Sequence, residues 1–114
     1  MRLLAQLIEE RRGEFAVGRI QGEVDASNVV WLQSRLHALV DNQADGLIVD
    51  LAGTTYLDSA GIALLFGMAA ALRQHQQELR LVVVDESPIA RMVALTGLAG
   101  SVATHPTLES AAGG

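Results

Sequence analysis

The sequence predicts a mixed α/β domain, a β-sheet of about five strands with helices packed on it, in the order β-β-α-β-α-β-α-β-α. Three observations carry this reading. Two short, predominantly apolar runs, Leu47–Leu51 and Leu79–Val84, have the length and character of strands buried within a sheet. Between and after them lie segments whose apolar residues recur at helical spacing, with capping residues at their starts. Strands alternating with helices in this way make a sheet with helices laid against it.

The chain opens with two strands, Leu3 to Glu9 and Glu14 to Glu23, joined as a hairpin by a charged turn ending in Gly13. Phe15 and Val17 alternate with Ala16 and Gly18, as expected where one sheet face is buried more deeply. Asp25-Ala26-Ser27-Asn28 offers several N-cap candidates. Behind it Val29, Leu32, Leu36, Leu39 and Val40 place a first helix to about Asn42, with Trp31 well off that stripe beside Arg35 and Ala38. Asp45-Gly46 marks a turn before the Leu47–Leu51 strand, and Ala52-Gly53-Thr54-Thr55 reads as a loop. A second helix starts near Asp58 or Ser59 and ends around Gln76. After the Leu79–Val84 strand, Ser87 caps a third helix, with Pro88 at a first-turn position where its missing N–H costs nothing. That helix carries Ile89, Met92, Val93 and Leu95, and Gly97 closes it. A short strand around Val102 and a weak helix near Leu108 complete a single domain over residues 1–110, with residues 111–114 as a fraying tail.

Composition narrows the function. At 114 residues, half of them apolar and 18% charged, the chain has material for one real core and no second one. It contains no cysteine, which removes disulfides, thiolate metal sites and a Cys nucleophile together. It contains no lysine either: all eight basic residues are Arg. A P-loop lysine, a Schiff-base lysine and a lysine general base are therefore excluded. The net charge of −5 and the scattered arginines argue against a nucleic-acid partner. The segment Met1 to Ile8 is too short and interrupted for a signal peptide. The uncharged helical run Ser59 to Leu72 falls short of the roughly 20 residues that span a bilayer. A cytoplasmic protein without a membrane partner is the expectation.

The second helix is the unusual element. Ile62, Leu65, Phe66, Ala69 and Leu72 form one apolar stripe, enough to dock on a sheet. The other side carries Ala60, Ala63, Leu64, Gly67 and Ala71, again without charge. A helix apolar all round should be covered on all sides, which a domain this small can rarely do with its own chain. Either neighbouring helices pack on the small residues, or that face is a docking surface for another protein. At the mouth of this helix stands Tyr56-Leu57-Asp58-Ser59-Ala60-Gly61, in which Asp58 or Ser59 can cap and Gly61 can relieve crowding.

Other chemistries fit less well. Asp50 at a strand end has the place of a receiver-domain phosphoacceptor, but that site needs a lysine. Gly53-Thr54-Thr55 lacks the glycine spacing and lysine of a phosphate loop. His37, His75 and His105 have no ligand spacing, so no metal is expected. Ser59 lacks the glycine-flanked elbow of a hydrolase nucleophile. No cofactor and no catalytic residue is expected. Trp31 is either half-buried at a helix edge or part of a partner surface.

Four segments, in order and over nearly the whole chain, resemble STAS domains, specifically the bacterial anti-sigma factor antagonists. They are Gly22-Glu23-Val24-Asp25, Asp50-Leu51, Leu57-Asp58-Ser59-Ala60-Gly61-Ile62, and Ser87-Pro88-Ile89-Ala90-Arg91 continuing to Thr96-Gly97-Leu98. Ala60 departs from the pattern, since many members carry a second serine there. The resemblance implies the STAS fold and a partner switch. Ser59 would be phosphorylated by an anti-sigma factor that is itself a serine kinase. The unphosphorylated protein would bind that kinase and free a sigma factor, and a serine/threonine phosphatase would restore it. Asp25 would lie near the phosphorylation loop. Asp25, Asp58, Ala60, Gly61, Ala63, Leu64 and Gly67 are then the expected partner-binding residues. The resemblance also admits a structural STAS subunit of a stressosome-like or lipid-transport assembly, and a nucleotide-sensing STAS module. A serine at position 59 favours the antagonist, and no residue dedicated to a nucleotide is evident.

Overall fold

A computed structural model describes residues 5–113. The order is β1 (Ala5–Arg12), β2 (Phe15–Val24), α1 (Val29–Leu39), β3 (Gly46–Asp50), β4 (Thr54–Leu57), α2 (Ser59–Arg73), β5 (Glu78–Val82), α3 (Pro88–Leu95), a 3₁₀ turn (Leu98–Gly100), β6 (Ala103–His105) and α4 (Leu108–Gly113). The sheet has six strands in the order β1-β2-β3-β5-β6, with β4 also on β2. Only the β1–β2 pair is antiparallel; the other pairings are parallel.

Alternation along the strands splits the interior in two. Ala16 and Ile20 of β2, Leu47 and Val49 of β3, and Leu79 and Leu81 of β5 face α1, α2, α3 and the 3₁₀ turn in the main core. Phe15, Val17, Ile48 and Val82 point to the opposite face, where Leu108 and Ala111 of α4 cover them. Trp31 is half-buried and packs against the main core, as the helix-edge reading has it.

Several boundaries differ from expectation; the second helix ends at Arg73 rather than Gln76, and the Leu79–Val84 strand at Val82. The first strand runs on to Arg12, through residues expected in the turn, because their charges pair within the sheet. Glu10 bonds Arg19 at 3.0 Å and Arg12 at 3.3 Å, and the chain reverses at Gly13, whose φ of 57° suits glycine. The Arg19 hydrogen bond, ahead of the Arg12 charge, holds the Glu10 carboxyl below the usual carboxylate range. Leu3 and Leu4, expected in this strand, lie outside the described residues. Helix α1 stops at Leu39 rather than Asn42, since Val40 is extended and the loop behind it is tied by Gln77, whose Nε2 donates to Asp41 O and Ala44 O, both at 2.9 Å.

A further difference bears on function. Thr54 and Thr55, expected in a loop, belong to β4. Strand β3 pairs with Phe15–Arg19 and β4 with Gly22–Val24 of the same strand, so the two form one line broken at Leu51–Gly53. Thr54 anchors the second half by donating its hydroxyl to Ile20 O at 2.9 Å. The tail also departs from expectation. Residues 111–113 continue α4 instead of fraying, with Ala111 fully buried and its carbonyl accepting from Arg80 at 2.8 Å. Arg80 in turn lies over the Phe15 ring, 4.1 Å from its centroid.

Candidate functional site at the Asp25–Ser59 end of the sheet

Parallel pairing brings the first and third of the sequence segments together. Val24 ends β2 opposite Leu57, the end of β4, and the Asp58 N–H donates to Val24 O at 3.3 Å. Asp25 and Asp58 therefore leave the sheet side by side.

From there each segment turns into a helix. Asp58 is the N-cap of α2: its Oδ1 accepts from Ala60 N at 2.9 Å and Gly61 N at 3.2 Å. Ser59 is thus the first helical residue, exposed, with its hydroxyl free of capping duty. Gly61 is buried against the Val24–Leu57 pair. A Cβ there would run into Leu57 Cδ1 and lie 3.1 Å from Val24 Cγ1. The close approach of the helix start to the strands favours glycine here, since any side chain would have to displace the Leu57 methyl. The segment Leu57-Asp58-Ser59-Ala60-Gly61 thereby acquires a physical meaning: Leu57 packs, Asp58 caps, Gly61 permits contact, and Ser59 faces outward.

Asp25, half-buried, accepts at Oδ1 from Ser27 N and Ser27 Oγ, at 2.9 and 2.5 Å. No set of three or more His, Cys, Asp or Glu suited to a metal occurs among the described residues. His37 and His75 line a shallow groove where α1 and α2 end, at the far end of the sheet, and His105 sits in β6. Asp50 is buried and paired, its Oδ2 3.3 Å from Arg19 Nε and its Oδ1 accepting from Ala52 N. It holds the β3–β4 break.

The faces of α2 need correction. Leu64 and Gly61, expected on the docking side, are buried, Leu64 in the main core with Ile62, Leu65, Met68, Ala69 and Leu72. Phe66, expected on the sheet-facing stripe, is exposed. Ala60 and Ala71 are half-buried; Ala63 and Gly67 are exposed, and nothing lies within 4 Å of a Cβ built on Gly67. Ser59, Ala63, Phe66, Gly67 and Ala70 recur at helical spacing and share one exposed, uncharged face. Phe66 and Ala70 belong to it: Phe66 is at helical spacing from both Ala63 and the Ile62–Ala69 stripe, and only the packing tells the two faces apart.

The family model for the STAS domain matches residues 6–111. The anti-sigma-B factor antagonist of Staphylococcus aureus (strain NCTC 8325 / PS 47) is 31% identical over 80 residues, 70% of this chain and 73% of that protein. An anti-sigma factor antagonist from Mycobacterium paratuberculosis has the same fold, with a TM-score of 0.83 at 24% identity over 94% of this chain and 90% of that one. The Bacillus cell fate determinant SpoIIAA, solved in its phosphorylated form, superposes with a TM-score of 0.64 at 23% identity, covering 94% and 95%.

Proposed function

The chain belongs to the STAS domain family, among the anti-sigma factor antagonists, and we propose that it works as a phosphorylation-controlled partner switch with Ser59 as the modified residue. Unphosphorylated, it binds an anti-sigma factor that is also a serine kinase, and a sigma factor is released. Phosphorylation of Ser59 ends that binding, and a serine/threonine phosphatase restores it. The protein acts as substrate and binder, not as catalyst, and it acts in the cytoplasm. No helix among the described residues is long and apolar enough to cross a membrane.

One observation supports this reading above the others. Ser59 is exposed at the first position of α2, and it heads the uncharged outer face made by Ala63, Phe66, Gly67 and Ala70. A phosphate there adds about −1.5 to −2 charge at neutral pH. The helix N-terminus accommodates an anion, so the fold survives modification. A partner covering the same face would have to bury the phosphate beside the Asp58 carboxylate, which is unfavourable without a matching cation. The switch is therefore local and electrostatic.

Incubation with the cognate anti-sigma kinase and ATP, followed by intact-mass analysis and peptide mapping, tests the assignment. One phosphate on Ser59 is the expected result. Phosphate on Thr55 or Ser87 with Ser59 bare would overturn it.

A further inference from the structure

Asn28 occupies the N-cap position of α1 but does not cap the helix. Its φ and ψ are −125° and −1°, and its side chain makes no hydrogen bond to the first turn. Asparagine at this position ordinarily accepts from an amide one turn into the helix. Here the side chain, only 3% exposed, turns back onto the end of β2. Its Nδ2 donates to Glu23 O at 2.8 Å, and its Oδ1 accepts from Asp25 N at 3.1 Å. The opposite amide orientation would set a donor against an N–H and an acceptor against a carbonyl, so the assignment is unambiguous.

These two bonds bracket Val24. That residue pairs with Leu57, accepts from Asp58 N, and packs where Gly61 touches the sheet. The backbone that Asn28 grips is thus the backbone on which the cap of α2 hangs. Through it, Asn28 fixes where Asp25 and Ser59 stand relative to one another.

We infer that Asn28 is a positioning residue for the Ser59 switch: its side chain hydrogen-bonds the two ends of the Glu23–Asp25 backbone, and it acts by holding the Asp25 loop and the α2 start in one frame. The inference rests on the partner-switch reading for its consequence, but its structural half stands apart from it. A residue that only satisfied polar groups in the core would lower stability without disturbing α2 selectively.

The test uses the full chain as Asn28→Ala, Asp25→Ala and the double variant. Asn28→Ser, which stays polar and uncharged but is too short to span from Glu23 O to Asp25 N, serves where alanine does not fold. The first readout is amide hydrogen exchange in native conditions. Removal of the bracket should speed exchange at Ala60 and Gly61 about tenfold or more, while Ala90 of α3, capped by Ser87, stays unchanged. Unchanged protection at Ala60 and Gly61, or equal loss at Ala90, overturns the positioning role. The second readout is kcat/KM for phosphorylation by the cognate kinase. Asn28→Ala and Asp25→Ala should each lower it about tenfold or more, and the double variant should fall no further than the weaker single. Folded Asn28→Ala phosphorylated at the wild-type rate, or losses that multiply, overturns the functional claim. If wild-type protein is not phosphorylated at Ser59, the partner-switch reading fails and the exchange data alone judge Asn28.

Discussion

Val24 and Leu57 stand opposite one another at the end of two parallel strands, and Asp58, the next residue after Leu57, donates its N–H to Val24 O at 3.3 Å. This contact turns two segments more than 30 positions apart in sequence into one site. Asp25 follows the first strand, Ser59 opens the helix that follows the second, and both inherit their position from the same pair.

Because Asp58 caps α2, the Ser59 side chain contributes little to the fold. Ser59→Ala should change stability by no more than about 0.5 kcal/mol and bind the partner kinase constitutively. Ser59→Asp should fold equally well, since a first-turn anion suits the helix dipole, yet bind much more weakly. Thermal melts and titration of both variants check this; equal affinity of the two for the kinase would contradict an electrostatic switch.

Asp58→Ala removes the cap from two amides, at a cost of about 1 kcal/mol. Asp58→Asn should recover most of the loss, because the amide oxygen can still accept. Chemical denaturation of both variants gives the comparison.

Gly61→Ala should be destabilising even though alanine is the better helix former. The added methyl meets Leu57 and Val24, and overpacking of this kind costs about 1–3 kcal/mol, more than the roughly 1 kcal/mol of helix propensity gained. A melting temperature at or above that of the wild type would show that the helix start can lift without penalty.

On α2, exposure separates binding from folding. Ala63→Arg and Gly67→Glu place charge on the outer face and should leave the melting temperature nearly unchanged while abolishing partner binding. Leu64→Arg, one position away from Ala63, buries an unpaired charge in the core and should cost several kcal/mol or prevent folding. An intact fold with unchanged binding in both outer-face variants would remove α2 from the interface.

Acid should weaken the β1–β2 edge through Glu10. Its carboxyl is held below the usual range by the Arg19 hydrogen bond, so its stabilising contribution is present above that range. It is lost as the pH falls through the lowered value. The melting-temperature difference between wild type and Glu10→Gln should therefore be largest near neutral pH and shrink in acid.

Most of this architecture can be read from the sequence, and the exceptions have physical causes. Apolar runs mark β3 and β5 because both strands are buried on both sides, and Ser87-Pro88 and Gly97 bound α3 by their chemistry alone. Strand β4 escapes, since Thr54-Thr55-Tyr56-Leu57 has neither alternation nor an apolar run and exists through its pairing with β2. The charges of Glu10 to Arg12 suggest a turn because the partner that holds Glu10 in the sheet, Arg19, comes from the neighbouring strand. Periodicity identifies α2 as apolar all round but cannot say which flank the sheet takes. The contact at Gly61 fixes that rotation, burying Leu64 and turning Phe66 outward. Asp58 and Ser59 are equivalent cap candidates by composition, and only the geometry at Ala60 and Gly61 tells them apart.

The most direct test of the switch is the affinity of the partner kinase for the protein before and after phosphorylation of Ser59, measured on the same preparation. Two unit charges about 4 Å apart at an effective dielectric near 20 repel by roughly 4 kcal/mol. The same pair in water repels by only about 1 kcal/mol, so burial adds about 3 kcal/mol. With about 1.4 kcal/mol for each factor of ten, phosphorylation should weaken binding by about two orders of magnitude while the melting temperature stays close to that of the unmodified protein. Equal affinity of the two forms, with Ser59 shown to carry the phosphate, would contradict the account.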